Sequence, residues 1–136
     1  MPWVVDTCLL IDIAEADPAF HEASVDLLES KRNEGLRICP VTFVELAPVF
    51  AGDLEHQREF LFNLEIPWPE EWTFDDTHLA HAVWNDYIVQ KRAGSITKRP
   101  IADVLIGAFA ARRGGLLTRN ASDFTKVFPN MKIGSP

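Results

Sequence analysis

Short apolar runs recurring between longer stretches of helical periodicity constrain this chain more than any other feature. Trp3-Val4-Val5 is the first run and ends at Asp6; Leu36-Arg37-Ile38-Cys39, Leu116-Leu117-Thr118 and Met131-Lys132-Ile133 read as further strands. Between them the spacing predicts helices. One runs from about Thr7. Another restarts at Asp17-Pro18, with Phe20, Ala23, Leu27 and Leu28 at helical intervals, and closes at Glu34-Gly35. A third opens at Pro40-Val41-Thr42, runs through Phe50 and stops near Gly52; a fourth spans Asp53 to Leu64. Residues 66–74, with two prolines and two tryptophans, predict a loop holding one short strand. Asp75-Asp76-Thr77 reads as the cap of a long helix closed by Gly94, and Pro100 to Arg113 as a strongly apolar helix ending in Gly114-Gly115. Arg119 to Val127 predicts a turn and a short helix. Strands that alternate with helices are joined by right-handed crossovers and form a mainly parallel sheet, so the fold class is α/β. The 136 residues suffice for one domain with one hydrophobic core, and no repeat or linker divides residues 1–136.

Charge and cysteine content narrow the setting. No apolar run approaches the roughly 20 residues that span a bilayer, and Met1 to Asp6 has no basic stretch, so no signal peptide is read there. The expectation is a cytoplasmic protein without membrane contact. Cys8 and Cys39 match no zinc spacing, sit in apolar surroundings and read as reduced core residues. The net charge of −7 is unevenly distributed: residues 1–90 carry 18 acids and 4 bases, residues 91–136 carry 2 acids and 9 bases. A chain divided in this way can offer a basic face to phosphates, although solvated loop and helix-end charges give the same count.

Four acids stand in unusual places. Asp6 ends the first strand, and in open parallel sheets ligands bind beyond the carboxyl ends of the strands. Glu45 is the only charge in the segment from Pro40 to Phe50, and Asp103 the only charge from Pro100 to Ala111. Asp123 lies beyond the strand Leu116-Leu117-Thr118. A carboxylate drawn into an apolar helix loses hydration worth several kcal/mol unless a partner replaces it. Taken singly, Asp103 is partly explained by the helix dipole and Asp123 by a turn or cap. Glu45, read as mid-helix, suits neither role. A cluster of carboxylates needs a hard divalent cation to stay ionised, and Mg²⁺ prefers such oxygen ligands. His78 and His81 share a helix face, but no third ligand accompanies them and they read as solvated.

With these positions in hand, the chain resembles the PIN-domain nucleases, and within them the VapC-type toxins of prokaryotic toxin–antitoxin pairs. Four ordered segments carry the resemblance: Val4 to Asp12, Pro40 to Leu46, Arg99 to Ala108, and Leu116 to Phe124 with its Thr118-Arg119-Asn120-x-x-Asp123-Phe124 pattern. It implies a three-layer α/β/α fold around a central, mainly parallel sheet of about four or five strands. It further implies Mg²⁺- or Mn²⁺-dependent endonucleolytic cleavage of RNA, a homodimer, and neutralisation by a small antitoxin. Carried over by position, Asp6, Glu45 and Asp103 resemble the core metal ligands and Asp123 the fourth acid, with Thr118 and Asn120 hydrogen-bonding around Asp123. Lys98, Arg99 and Arg119 flank two of the acids and are candidates to hold the RNA phosphate backbone. Cys8 stands where many relatives have asparagine.

Three other classes share parts of this pattern. A phosphatase of the haloacid dehalogenase type also starts with an aspartate after its first strand, but needs a second aspartate where Cys8 stands. A signalling receiver needs its phosphoacceptor at the end of a middle strand, whereas Asp53 follows a helix. An inactive PIN-like interaction module, binding a partner through the acidic half, is the third class; such a relative is expected to lose one of the four acids, and all four are present.

Overall fold

A computed structural model describes residues 1–67, 70–94 and 101–136. The first three residues able to form a strand, Trp3–Val5 (β1), lead into helix α1 (Thr7–Ala14), and α2 (His21–Lys31) returns the chain to β2 (Leu36–Arg37). Next come α3 (Pro40–Glu45), α4 (Leu54–Asn63), α5 (Phe74–Arg92), α6 (Ile101–Ala111), β3 (Leu116–Leu117), α7 (Ala121–Val127) and β4 (Ile133–Gly134). The strand order is β2-β1-β3-β4 and every pairing is parallel, with Trp3 beside Leu36, Val4 beside Leu116 and Leu116 beside Ile133. The α/β class and four-stranded parallel sheet follow the sequence expectation.

Alternation along the strands builds two apolar layers, because successive side chains leave a strand on opposite faces. Trp3, Val5 and Leu117 join Leu9, Leu10, Leu28 and Leu61 on the face covered by α1, α2 and α4. Val4 and Leu116 join Ala80, Ile106, Phe109 and Phe124 on the face covered by α5, α6 and α7. Each large side chain so buried contributes roughly 1.5–3 kcal/mol, and strands buried on both faces need no polar alternation. Gly114 and Gly115 make the turn from α6 into β3. A Cβ at either would strike the backbone oxygen of Pro2 or of Lys132, and Gly115 has φ +125°.

Several expectations are corrected. The third helix does not run to Phe50. It ends at Glu45 and gives way to a 3-10 turn at Ala47–Phe50, since Pro48 has no N–H to donate and its ring crowds the preceding turn. Ala51 (φ 52°) and Gly52 (φ 75°) then reverse the chain. The cap of α5 is Thr73, not Asp75-Asp76-Thr77. Its hydroxyl accepts from the Asp76 N–H while the Asp76 carboxylate accepts from the Thr73 N–H, a capping box. The described residues between Ile66 and Phe74 carry no strand; Trp68 and Pro69 lie outside the described residues.

Candidate active site

Asp6 ends β1 and caps α1, so its place is set by both elements. Its backbone N–H donates to Leu117 O of β3 at 2.9 Å. Its Oδ1 accepts from the Thr7 N–H at 2.8 Å, and its Oδ2 accepts from the Thr118 hydroxyl at 2.7 Å and the Cys8 thiol at 3.4 Å. Only 5% of the residue is exposed. Burial pushes its carboxyl above the usual carboxylate range, against the lowering effect of those hydrogen bonds and, least, of the distant Arg119 charge. Among the described residues no cation pairs with it. Position 8 therefore does supply a hydrogen bond to the first acid, although it is cysteine. Burial and the neighbouring Asp6 push that thiol up to about 11, so it stays protonated.

Glu45 is the last residue of α3, exposed, and not mid-helix. Its Oε1 accepts from the Thr7 hydroxyl at 2.7 Å, and the Thr7 and Thr42 hydroxyls lie 3.1 Å apart. Thr7 thus contacts Asp6 through its N–H and Glu45 through its O–H, linking the carboxyl end of β1 to the end of α3. Thr118 stands beside Asp6, whereas the sequence reading set it around Asp123, and the Asn120 N–H donates to the Thr118 hydroxyl at 3.0 Å, fixing the direction in which that hydroxyl points.

Asp103 is half-buried in the first turn of α6, and Asp123 is exposed in the first turn of α7. The structure joins Asp6 to Glu45, with Thr118 and Asn120 around Asp6. Among the described residues it brings no three Asp, Glu, His or Cys side chains close enough to hold a metal ion between them. Lys98 and Arg99 lie outside the described residues. Arg119 is committed elsewhere: its Nε and Nη2 donate to the two oxygens of Asp12, each at 3.0 Å, and its guanidinium lies 4.3 Å from the Phe20 ring centre. A phosphate contact from Arg119 is therefore left to the remaining nitrogen, Nη1.

Part of the basic excess of the C-terminal third is turned inward. Arg112 and Arg113 both donate to Asp76, which is fully buried, and Arg113 also pairs with Glu70. With Arg119 on Asp12, three of the cations counted toward a basic face serve internal pairs. Asp12 and Asp76 are the buried acids that sequence reasoning passed over. Asp12 carried a usable signal, since it lies between Ile11 and Ile13 as Glu45 lies between Val44 and Leu46. Asp76 carried none that separates it from Asp75.

The donor set suits a hard divalent ion. Asp6 and Glu45 offer carboxylate oxygens backed by neutral hydroxyls and an N–H, and Mg²⁺ commonly takes one or two carboxylates while keeping several waters. Soft or imidazole ligands are not part of this group, for the thiol of Cys8 is protonated and His78 and His81 are exposed on α5.

Known proteins place this architecture. Seven solved chains match its structure. One is the crystal structure of VapBC2 from Rickettsia felis bound to a DNA fragment from their promoter, with a TM-score of 0.68 and 17% identity, over 99% of this chain and 98% of that one. No curated protein matches it in sequence. No described helix is long and apolar enough to cross a membrane. The PIN-domain family model matches residues 3–127, and the chain belongs to the PIN-domain family.

Proposed function

We propose that this chain is a divalent-metal-dependent endoribonuclease, the toxin of a type II toxin–antitoxin pair, built as a single domain over residues 1–136. PIN domains are generally nucleases. The observation that carries the reading is the Asp6–Thr7–Glu45 arrangement: two carboxylates tied to one residue and left without a cationic partner among the described residues. Asp6, Glu45, Asp103 and Asp123 are the proposed ligands of Mg²⁺ or Mn²⁺. When bound, such an ion lowers the pKa of a coordinated water and stabilises charge on a phosphodiester undergoing in-line displacement.

The chain's own residues supply the rest. Thr118 and the Thr7 N–H orient Asp6, Asn120 fixes the Thr118 hydroxyl, and burial keeps bulk water from Asp6. Lys98, Arg99 and the free nitrogen of Arg119 are proposed to hold the RNA phosphates. A small antitoxin of VapB type and a second copy of the chain are the proposed partners, in the cytoplasm. The likeness to VapBC2, solved with promoter DNA, supports the antitoxin part.

The test is incubation of purified protein with total RNA in Mg²⁺, Mn²⁺ or EDTA, comparing wild type with Asp6→Ala. Discrete fragments that require both metal and Asp6 are expected. A folded, antitoxin-free protein that cleaves nothing under any metal overturns the nuclease and leaves a PIN-like binding module.

A further inference from the structure

We propose that Thr7, backed by Thr42, is the positioning residue that holds Glu45 in register with Asp6 for a shared divalent cation; this rests on the metal-dependent reading above. Glu45 is the final residue of a six-residue helix, followed at once by the 3-10 turn around Pro48. Its long side chain is exposed, so its own helix gives it little restraint. The restraint comes from α1: the Thr7 hydroxyl donates to Oε1 at 2.7 Å, an ordinary O–H···O distance.

A hydroxyl carries one proton and two acceptor positions. The same proton has a second, more distant acceptor, the Thr42 hydroxyl at 3.1 Å. Thr42 is fully buried and stands three residues before Glu45, on the same side of α3. Both acceptors lie on α3, so the Thr42 contact holds the Thr7 hydroxyl against that helix while the shorter bond goes to Glu45. The Thr7 N–H meanwhile donates to Asp6 Oδ1 at 2.8 Å, so one residue fixes two carboxylates from two different elements. Every donor in this arrangement is neutral. It fixes geometry and leaves the negative charge available, which a lysine or arginine in the same place would not do.

The experiment is Mn²⁺ binding to the purified chain, followed by the paramagnetic signal of the free ion, in wild type, Thr7→Val, Thr7→Ser, Thr42→Val, Glu45→Ala and the Thr7→Val/Glu45→Ala double variant. Thr7→Val keeps the branched shape and the backbone N–H and removes only the hydroxyl. It is expected to weaken Mn²⁺ about 10- to 100-fold, and Thr7→Ser to restore binding to within a few-fold. In the Glu45→Ala background the Thr7 change is expected to have no further effect, because its action runs through Glu45. Thr42→Val leaves α1 intact and is expected to give a smaller loss in the same direction; it decides the matter if Thr7→Val does not fold. Wild-type affinity in both Thr7→Val and Thr42→Val, or an equal loss with and without Glu45, overturns the positioning role alone. A wild type that neither binds Mn²⁺ nor cleaves RNA removes the metal-dependent reading and this inference with it.

Discussion

Asp76 and Asp6 are both carboxylates taken almost completely out of water, and the fold holds them in opposite ways. Asp76 accepts from Arg112 Nη1 at 2.8 Å, from Arg113 Nη1 and Nη2 at 3.0 and 3.2 Å, and from the Thr73 N–H at 2.8 Å. Arg113 is itself fixed: it pairs with Glu70, donates to Phe109 O at 2.7 Å and lies 3.5 Å from the Phe109 ring centre. Burial alone would raise the Asp76 carboxyl, but these donors bring it down to about 2. Among the described residues Asp6 meets only a hydroxyl, a thiol and an N–H, and burial wins there. A buried carboxylate already neutralised by guanidinium joins helix α5 to α6. One oriented by neutral donors has no counter-charge among the described residues. Asp12 is the intermediate case, buried but paired with an arginine that is 31% exposed.

Removing Asp76 tests the first half of the contrast and has the largest expected effect. Asp76→Ala leaves two guanidiniums facing a hole and is expected to cost about 3–5 kcal/mol, read from the midpoint of urea unfolding. A midpoint within error of wild type would show the network to be dispensable. The same acid sets a pH dependence. Its folded pKa of about 2 lies below the ordinary aspartate value of 3.8, so the folded state binds fewer protons. The stability it confers is therefore present above about pH 4 and is lost as pH falls through 2. The loss is on the order of 2–3 kcal/mol, and Asp76→Ala should flatten the stability curve over that window. If the variant and wild type lose stability in parallel there, the acid sensitivity belongs to other groups.

Asp12→Asn comes next, at about 1–3 kcal/mol, since Arg119 and Ser24 keep a partner of the right shape but lose the charge. Its thermal midpoint should fall between those of wild type and Asp76→Ala. The smallest stability change carries the opposite sign. Asp6→Asn removes an unneutralised buried charge, so the metal-free protein should gain about 1 kcal/mol in EDTA while RNA cleavage is abolished. A destabilised Asp6→Asn that still cleaves RNA would make Asp6 a second Asp76 and end the comparison.

The sequence reveals these regions unequally, for physical reasons. The apolar strands and the α/β order were legible because strand and helix periodicities are local. Asp6 and Glu45 were legible as acids out of place. What Glu45 rests on was not, since its partner Thr7 is 38 residues away in sequence and only the packing of α1 on α3 brings them together. The break in the third helix was available in Pro48 and was overridden by the apolar run around it. Thr73 was passed over as a cap because two adjacent aspartates offer the stronger local signal, while the capping box uses the second of them from the N3 position. Arg119 looked like a phosphate ligand by adjacency to Thr118 and Asn120; its pairing with Asp12 spans 107 residues and leaves no mark in the chain order.

The tie between Asp6 and Thr118 spans 112 residues, and it bears on how the protein is made. β1 lies in the middle of the sheet, yet its neighbour β3 is translated only after α1 to α6. At roughly 5–20 residues per second, Asp6 waits roughly 6–22 s on the ribosome before Thr118 exists. Until then Asp6 Oδ2 lacks its shortest hydrogen bond and the apolar edge of β1 has nothing to pair with. A nascent chain thus lacks the finished surroundings of Asp6 until Thr118 has been added.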